Sequence, residues 1–409
     1  MFLLRHAFSL SLAGVLVTAC ATAQAPPAPV VVRPGIDVLV EDSLHLVAGR
    51  AVGLLTNRNG VDRHGVGDVE RLRAAGVHLI AIFTPEHGFR GAADPGAAVP
   101  STRDSATGLP IYSLYGRNFA PTPDMLAGVQ VLLVDLPDAG ARYFTYISTT
   151  IELMRSPAVA GIPVIILDRP NPVGGAVQGN VLDSAARSFV GSMSVPMRHG
   201  LTLGELALLA KRERGLATAL SVVPVSGWQR SRYFDDTGLP FNPPSPNLRD
   251  LESIINYSGT CLFEGTNLSP GRGSDAAFSQ VGAPWLNPAA VLARLGPQPG
   301  VSLTATTFTP RQPGDGKYAD TLLQGIRFRV TDRATYDPPA TALRLLVAIR
   351  AVHPAEFAWM AAQFDRLAGQ PGLREALNRG APIDSILAVW AAQRTQFGPR
   401  AAGVRLYPD

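Results

Sequence analysis

The chain has 409 residues, 46% hydrophobic and 17% charged, with 36 Lys+Arg against 32 Asp+Glu. This excludes a disordered polyelectrolyte and a small disulfide scaffold, and it allows two domains with room for full cores. A formal charge of +4 with no basic run leaves no electrostatic footprint for nucleic acid.

Residues 1–20 place Arg5 and His6 ahead of an apolar stretch over 7–17 and then Thr18-Ala19-Cys20. This pattern predicts an export signal, because the stretch is too short to span a bilayer and none of about 18 uninterrupted apolar residues follows. Val17-Thr18-Ala19-Cys20 resembles a bacterial lipobox, so Cys20 is the expected lipidation site. The expected location is the periplasm or cell envelope, with membrane contact only through that anchor. The Ala/Pro-rich residues 21–34 read as a tether. Cys261 is the other cysteine of the chain, so the mature protein is expected to form no internal disulfide.

Four apolar runs follow, at 52–55, 79–83, 129–134 and 163–167. Continuous Val/Ile/Leu without alternation suits parallel strands covered on both faces, and the spacers are long enough for crossover helices. Helices are predicted over 67–75, 146–155 and 203–214. The last begins with the capping-box pattern Thr202-Leu203-Gly204-Glu205 and stops at Gly215. The prediction is an α/β domain with a parallel sheet over 35–222. Residues 224–246, rich in Pro and aromatics, read as a long ordered surface segment. A strand at 326–330 and helices over 340–352, 355–367 and 383–396 predict a smaller mixed α+β domain over 223–409.

Polar residues follow each apolar run: Asn57 after the first, Glu86, His87 and Arg90 after the second, Asp138, Arg142 and Tyr143 after the third, Asp168, Arg169 and Asn171 after the fourth. In an open parallel sheet, ligands bind beyond the carboxyl ends of the strands, so these tips are expected to converge on one site. Glu86, beside Pro85 and His87, is the sharpest candidate for a desolvated proton donor, against the plainer reading of a salt bridge to Arg90. The later glycine-rich loop carries Glu264, Asn267 and Arg272, suited to gripping a polar ligand from the opposite wall. Gly271-Arg272-Gly273-Ser274-Asp275-Ala276 matches a dinucleotide-binding pattern formally, but it does not follow the first strand of a βαβ unit. Scattered histidines and unpaired cysteines predict no metal site, and no cofactor motif is present. Two facing carboxyls amid Asn, Arg and Tyr suit a glycosidase.

These motifs, with Ser113-Leu114-Tyr115-Gly116, Pro244-Ser245-Pro246-Asn247 and Phe263-Glu264-Gly265-Thr266-Asn267, resemble those of the NamZ-type exo-β-N-acetylmuramidases over nearly the whole mature chain. The resemblance implies that the first domain is Rossmann-like and joined to the smaller C-terminal domain with the active cleft between them, and that the activity is release of N-acetylmuramic acid (MurNAc) from the non-reducing end of peptidoglycan fragments. It places the catalytic acid on Glu86 and the family's second acidic position on Glu264, and it adds Asn247 to the binding residues. The expected partner is a muropeptide or MurNAc-terminated glycan. MurNAc carries a lactyl carboxylate, for which Arg90, Arg142, Arg169 and Arg272 are the candidate receptors. The residues alone also fit an envelope lipoprotein that binds such a sugar without cleaving it, or, less well, a metal-dependent hydrolase.

Overall fold

The four apolar runs form adjacent strands of one sheet in a computed structural model that describes residues 31–409 apart from Ala92 and Pro95. The predicted export signal and Cys20 lie outside the described residues. In chain order, α1 (Gly35–Asp42) precedes β1 (Ala51–Thr56), and α2 (Asp68–Ala74) leads into β2 (His78–Thr84). Two short strands follow, β3 (Thr102–Arg103) and β4 (Pro110–Ser113), then β5 (Val131–Asp135), α3 (Tyr146–Arg155) and β6 (Val164–Leu167). A small antiparallel pair, β7 (Gln178–Val181) and β8 (Pro196–Arg198), precedes α4 (Leu203–Arg214) and β9 (Leu220–Val223).

The seven-stranded sheet has the order β3-β4-β2-β1-β5-β6-β9 and is parallel throughout except where β3 meets β4. Its strands bury both faces by alternation. On β5, Val131 and Leu133 join a cluster with Ile36, Leu39, Val52, Leu54 and Leu72, whereas Leu132 and Val134 join the opposite cluster with Phe83, Ile147, Ile151 and Leu206. The predicted capping box is present at α4: the Thr202 hydroxyl accepts the Glu205 N–H, and Glu205 Oε2 accepts the Thr202 N–H. Gly215 ends that helix at φ 61°, a conformation glycine adopts at little cost.

The later half contributes α5 (Leu251–Thr260), β10 (Gln280–Ala283), α6 (Pro288–Leu295), β11 (Val301–Phe308), β12 (Leu323–Val330), α7 (Pro338–Val352), α8 (Ala361–Ala368), α9 (Leu373–Asn378) and α10 (Ile383–Ala402). β10, β12 and β11 form an antiparallel sheet, and the larger core runs without a break from the parallel sheet into α5, α7, α8 and α10. Among the described residues no helix is long and apolar enough to cross a membrane.

The structure departs from expectation in two segments. The helix predicted over 355–367 begins only at Ala361, because Asn267 clamps the backbone before it, donating to Glu356 O and accepting from Ala358 N. Residues 224–246 contain one short turn at Phe234–Asp236 and are not wholly superficial. Trp228 is buried against Tyr407, with ring centroids 5.2 Å apart.

Candidate active site

β2 delivers Glu86. Pro85 follows its last residue, and His87 then takes a left-handed backbone at φ 71°, unusual outside glycine, with Gly88 at φ 75°. This double turn stops the strand abruptly and leaves the Glu86 carboxyl at its tip. The residue is 8% exposed. Its Oε1 accepts the Gly96 N–H at 2.8 Å, and its Oε2 accepts the Thr145 hydroxyl at 2.6 Å. His87 Nδ1 lies 2.7 Å from Ala93 O; a carbonyl cannot donate, so Nδ1 carries the proton. Burial lowers the imidazole pKa.

Glu264 comes from the short turn Cys261–Gly265 that follows α5. A side chain at Gly265 would place its Cβ 2.4 Å from the Phe364 Cα, so this close approach of α8 requires glycine. Lys317 then fixes the turn from outside: its ammonium donates to the carbonyls of Glu264, Thr266 and Leu268 at 2.7–3.0 Å. Glu264 Oε1 accepts from Arg272 Nε, and the Cys261 thiol lies 3.8 Å from Oε2. Burial raises the pKa of that thiol strongly, which leaves it a neutral wall of the site. Burial opposes the charge on Arg272, yet the Glu264 carboxylate outweighs it and holds the guanidinium above its ordinary pKa. The guanidinium also lies 4.9 Å from the Phe278 ring centroid.

Both glutamates line one cavity of about 210 Å³ together with His87, Tyr115, Tyr143, Thr145, Ser245, Tyr257 and Arg272. That volume is below the ~300–1,000 Å³ of ordinary ligand pockets and suits a single sugar residue. Burial, reinforced by the facing Glu86 carboxylate, pushes the Tyr115 phenol up to about 12, so it serves as a neutral hydrogen-bond donor. Among the described residues no three His, Cys, Asp or Glu side chains converge as metal ligands.

The strand tips do not all meet here. Asp138, Arg169 and Asn59 line a separate crevice of about 50 Å³. Pro244 faces that crevice while Ser245 faces the larger cavity, so the chain at 244–245 forms a wall between them. Asn57 stands behind the wall, donating to the Tyr146 hydroxyl, which in turn reaches Glu86 O and Pro244 O.

Several polar candidates instead hold the fold together. Arg142 is buried and donates to the carbonyls of Asn180, Leu367 and Ala368, a backbone grip that removes it from any ligand. Asp168 caps the start of α4, accepting from the Thr202 hydroxyl and the Gly204 N–H. Arg169 is paired with Asp135 and Val61 O, and Asn171 donates to Leu201 O. Asn267 is the clamp on 356–358. Arg90 is exposed and Asn247 half-buried, and neither lines the cavity. Asp138 lies 3.2 Å from His199 Nε2 in the smaller crevice.

Sequence reasoning did not single out Thr145, Tyr115, Tyr257 or Lys317. Lys317 had a visible signal, since it is one of two lysines in a chain whose other 34 cations (36 − 2) are arginines.

Comparison with known proteins shows the family of the chain. Residues 52–252 match the model for the N-terminal part, and residues 255–407 that for the C-terminal part, of exo-beta-N-acetylmuramidase NamZ. The chain is 39% identical over 371 residues to the peptidoglycan beta-N-acetylmuramidase NamZ of Bacillus subtilis, covering 90% of this chain and 89% of that protein. Crystal structures of two DUF1343 family proteins from Bacteroides fragilis superpose with TM-scores of 0.84 and 0.74 at 32% and 28% identity, each covering 92% of this chain and 99% of the other. With both halves matched and a relative this similar along almost its full length, the chain belongs to the NamZ exo-β-N-acetylmuramidase family.

Proposed function

We infer that this protein is an exo-acting glycoside hydrolase that releases N-acetylmuramic acid from the non-reducing end of peptidoglycan fragments, with Glu86 as proton donor and Glu264 as its anionic partner. One observation carries the reading: two carboxyls on one small cavity have opposite environments. Glu86 is held by a hydroxyl and a backbone N–H, both neutral donors. Glu264 is paired with the Arg272 guanidinium. A carboxyl with no ionic partner beside one paired with a guanidinium suits the two carboxyl roles of a glycoside hydrolase.

In the reaction, Glu86 gives its proton to the glycosidic oxygen as the bond to the anomeric carbon breaks and its electron pair passes to that oxygen. The positive charge developing at the anomeric carbon faces the Glu264 carboxylate. Water then adds its hydroxyl to that carbon, and its remaining proton restores the carboxyl pair. The cavity's size favours one terminal sugar over an internal stretch of glycan.

The test is a mass-spectrometric digest of MurNAc-GlcNAc beside GlcNAc-MurNAc, where GlcNAc is N-acetylglucosamine. Release of free MurNAc from the first and none from the second supports the reading. Tight binding without product would favour a sugar-binding protein. Envelope anchoring through Cys20 belongs to the same proposal and rests on the lipobox-like residues 17–20. Loss of lipid labelling in Cys20→Ala tests it.

A further inference from the structure

MurNAc differs from GlcNAc by a lactyl ether carrying a carboxylate, so an enzyme of the proposed specificity needs a cation that is buried at the sugar and not already consumed. Arg142 is spent on backbone carbonyls, and Arg169 is spent on Asp135 and Val61 O at a different crevice. Arg90 is exposed and outside the lining. The Lys317 ammonium is committed to the carbonyls of the Glu264 turn. Arg272 differs from all of these. It is the one arginine among the described residues that line the cavity with Glu86 and Glu264, and it is 9% exposed. Its Nε serves Glu264, while its Nη1 is buried with no hydrogen-bond partner.

A guanidinium has two donor edges, so one can hold a carboxylate while the other receives a second anion. Gly271 and Gly273, at φ 81° and 76°, bring the backbone round on either side of Arg272, and the Phe278 ring lies against its guanidinium. The side chain is therefore fixed before any ligand arrives, which lowers the ordering cost of binding.

The geometry points to Arg272 as the residue that reads the lactyl carboxylate and so sets the preference for N-acetylmuramic acid over N-acetylglucosamine. This rests on the muramidase reading above. Arg272 thus acts twice, pairing with Glu264 through Nε and selecting the substrate through its terminal nitrogens. Esterifying the lactyl group removes the charge it reads.

The experiment is calorimetry in the Glu86→Gln background, which preserves the Arg272 pair, with three probes: MurNAc, its lactyl methyl ester, and GlcNAc. With Arg272 intact, MurNAc binds on the order of 10- to 100-fold more tightly than either uncharged sugar, the range of a hydrogen-bonded charge. Arg272→Gln abolishes that advantage, so that MurNAc, its ester and GlcNAc bind with similar affinity. Arg272→Lys keeps a charge opposite Glu264, guarding against misfolding, and retains only part of the advantage because an ammonium lacks the fork. An undiminished MurNAc preference in both variants overturns the assignment. Equal losses for all three sugars also overturn it, showing that Arg272 only supports Glu264. If unmodified protein neither binds MurNAc nor hydrolyses an aryl β-MurNAc glycoside, the muramidase reading itself falls.

Discussion

The Thr145 hydroxyl donates to Glu86 Oε2 over 2.6 Å, tying the residue that opens α3 to the carboxyl at the tip of β2. The two lie 59 positions apart and meet only because β5 and β2 flank β1 in the sheet. Thr145→Val keeps the shape and removes the donor. We expect kcat on an aryl β-MurNAc glycoside to fall roughly tenfold, the equivalent of about 1.4 kcal/mol of lost orientation, with KM little changed. Steady-state kinetics on folded protein checks this, and unchanged kcat would show that Glu86 is oriented without Thr145.

Lys317 positions the second carboxyl. Lys317→Met strips the turn around Glu264 of its donor and leaves buried carbonyls unsatisfied, at about 1–3 kcal/mol. The melting temperature should drop, and kcat should fall by more than KM rises. Equal effects on binding and turnover would mean that the turn holds its shape without the lysine.

Arg142 tests a role read differently from sequence and structure. Its guanidinium joins residues 225 and 226 positions away, Leu367 and Ala368, to the chain after β5. Arg142→Ala should destabilise the protein by about 3 kcal/mol or more, as removing a buried and fully bonded polar anchor does. The preference for MurNAc over GlcNAc should survive in the folded fraction. Denaturant melts together with substrate competition separate the two effects.

Asp168 gives a pH-dependent stability. Burial raises its pKa from 3.8 to about 6, against the hydrogen bonds that favour the ionised form. A carboxyl whose pKa is higher in the folded state binds more protons there, so its contribution is complete below about pH 4 and is lost as pH rises through 6. Relative to Asp168→Asn, the wild type should lose stability between pH 4 and 6, by about 3 kcal/mol from 1.36 kcal/mol per unit. Above pH 7 the difference should be flat. Chemical denaturation at stepped pH measures it, and a pH-independent difference would contradict the buried, protonatable carboxyl.

The sequence made the parallel sheet legible because strands buried on both faces are unbroken apolar runs, as in Val131–Asp135. Glu86 was legible because a Pro-flanked carboxyl follows such a run directly. Glu264 and Arg272 stood out within glycine-rich chain. What stayed hidden depends on distant contacts. Tyr115 and Tyr257 resemble ordinary core aromatics until the fold turns them to one cavity. Arg142 and Asp168 look like ligand-binding residues because a charge at a strand tip reads the same whether its partner is a substrate or a backbone group. The division of the strand tips between two cavities likewise depends on the wall at 244–245, which no local pattern specifies.

The most direct measurement compares wild type with Glu86→Gln on aryl β-MurNAc glycosides of poor and good leaving groups. If Glu86 donates the proton, kcat/KM falls about 10²- to 10⁴-fold on the poor leaving group and far less on one that departs without protonation, while the melting temperature stays near that of the wild type. Equal losses on both substrates, or undiminished turnover on the poor one, would contradict the assignment.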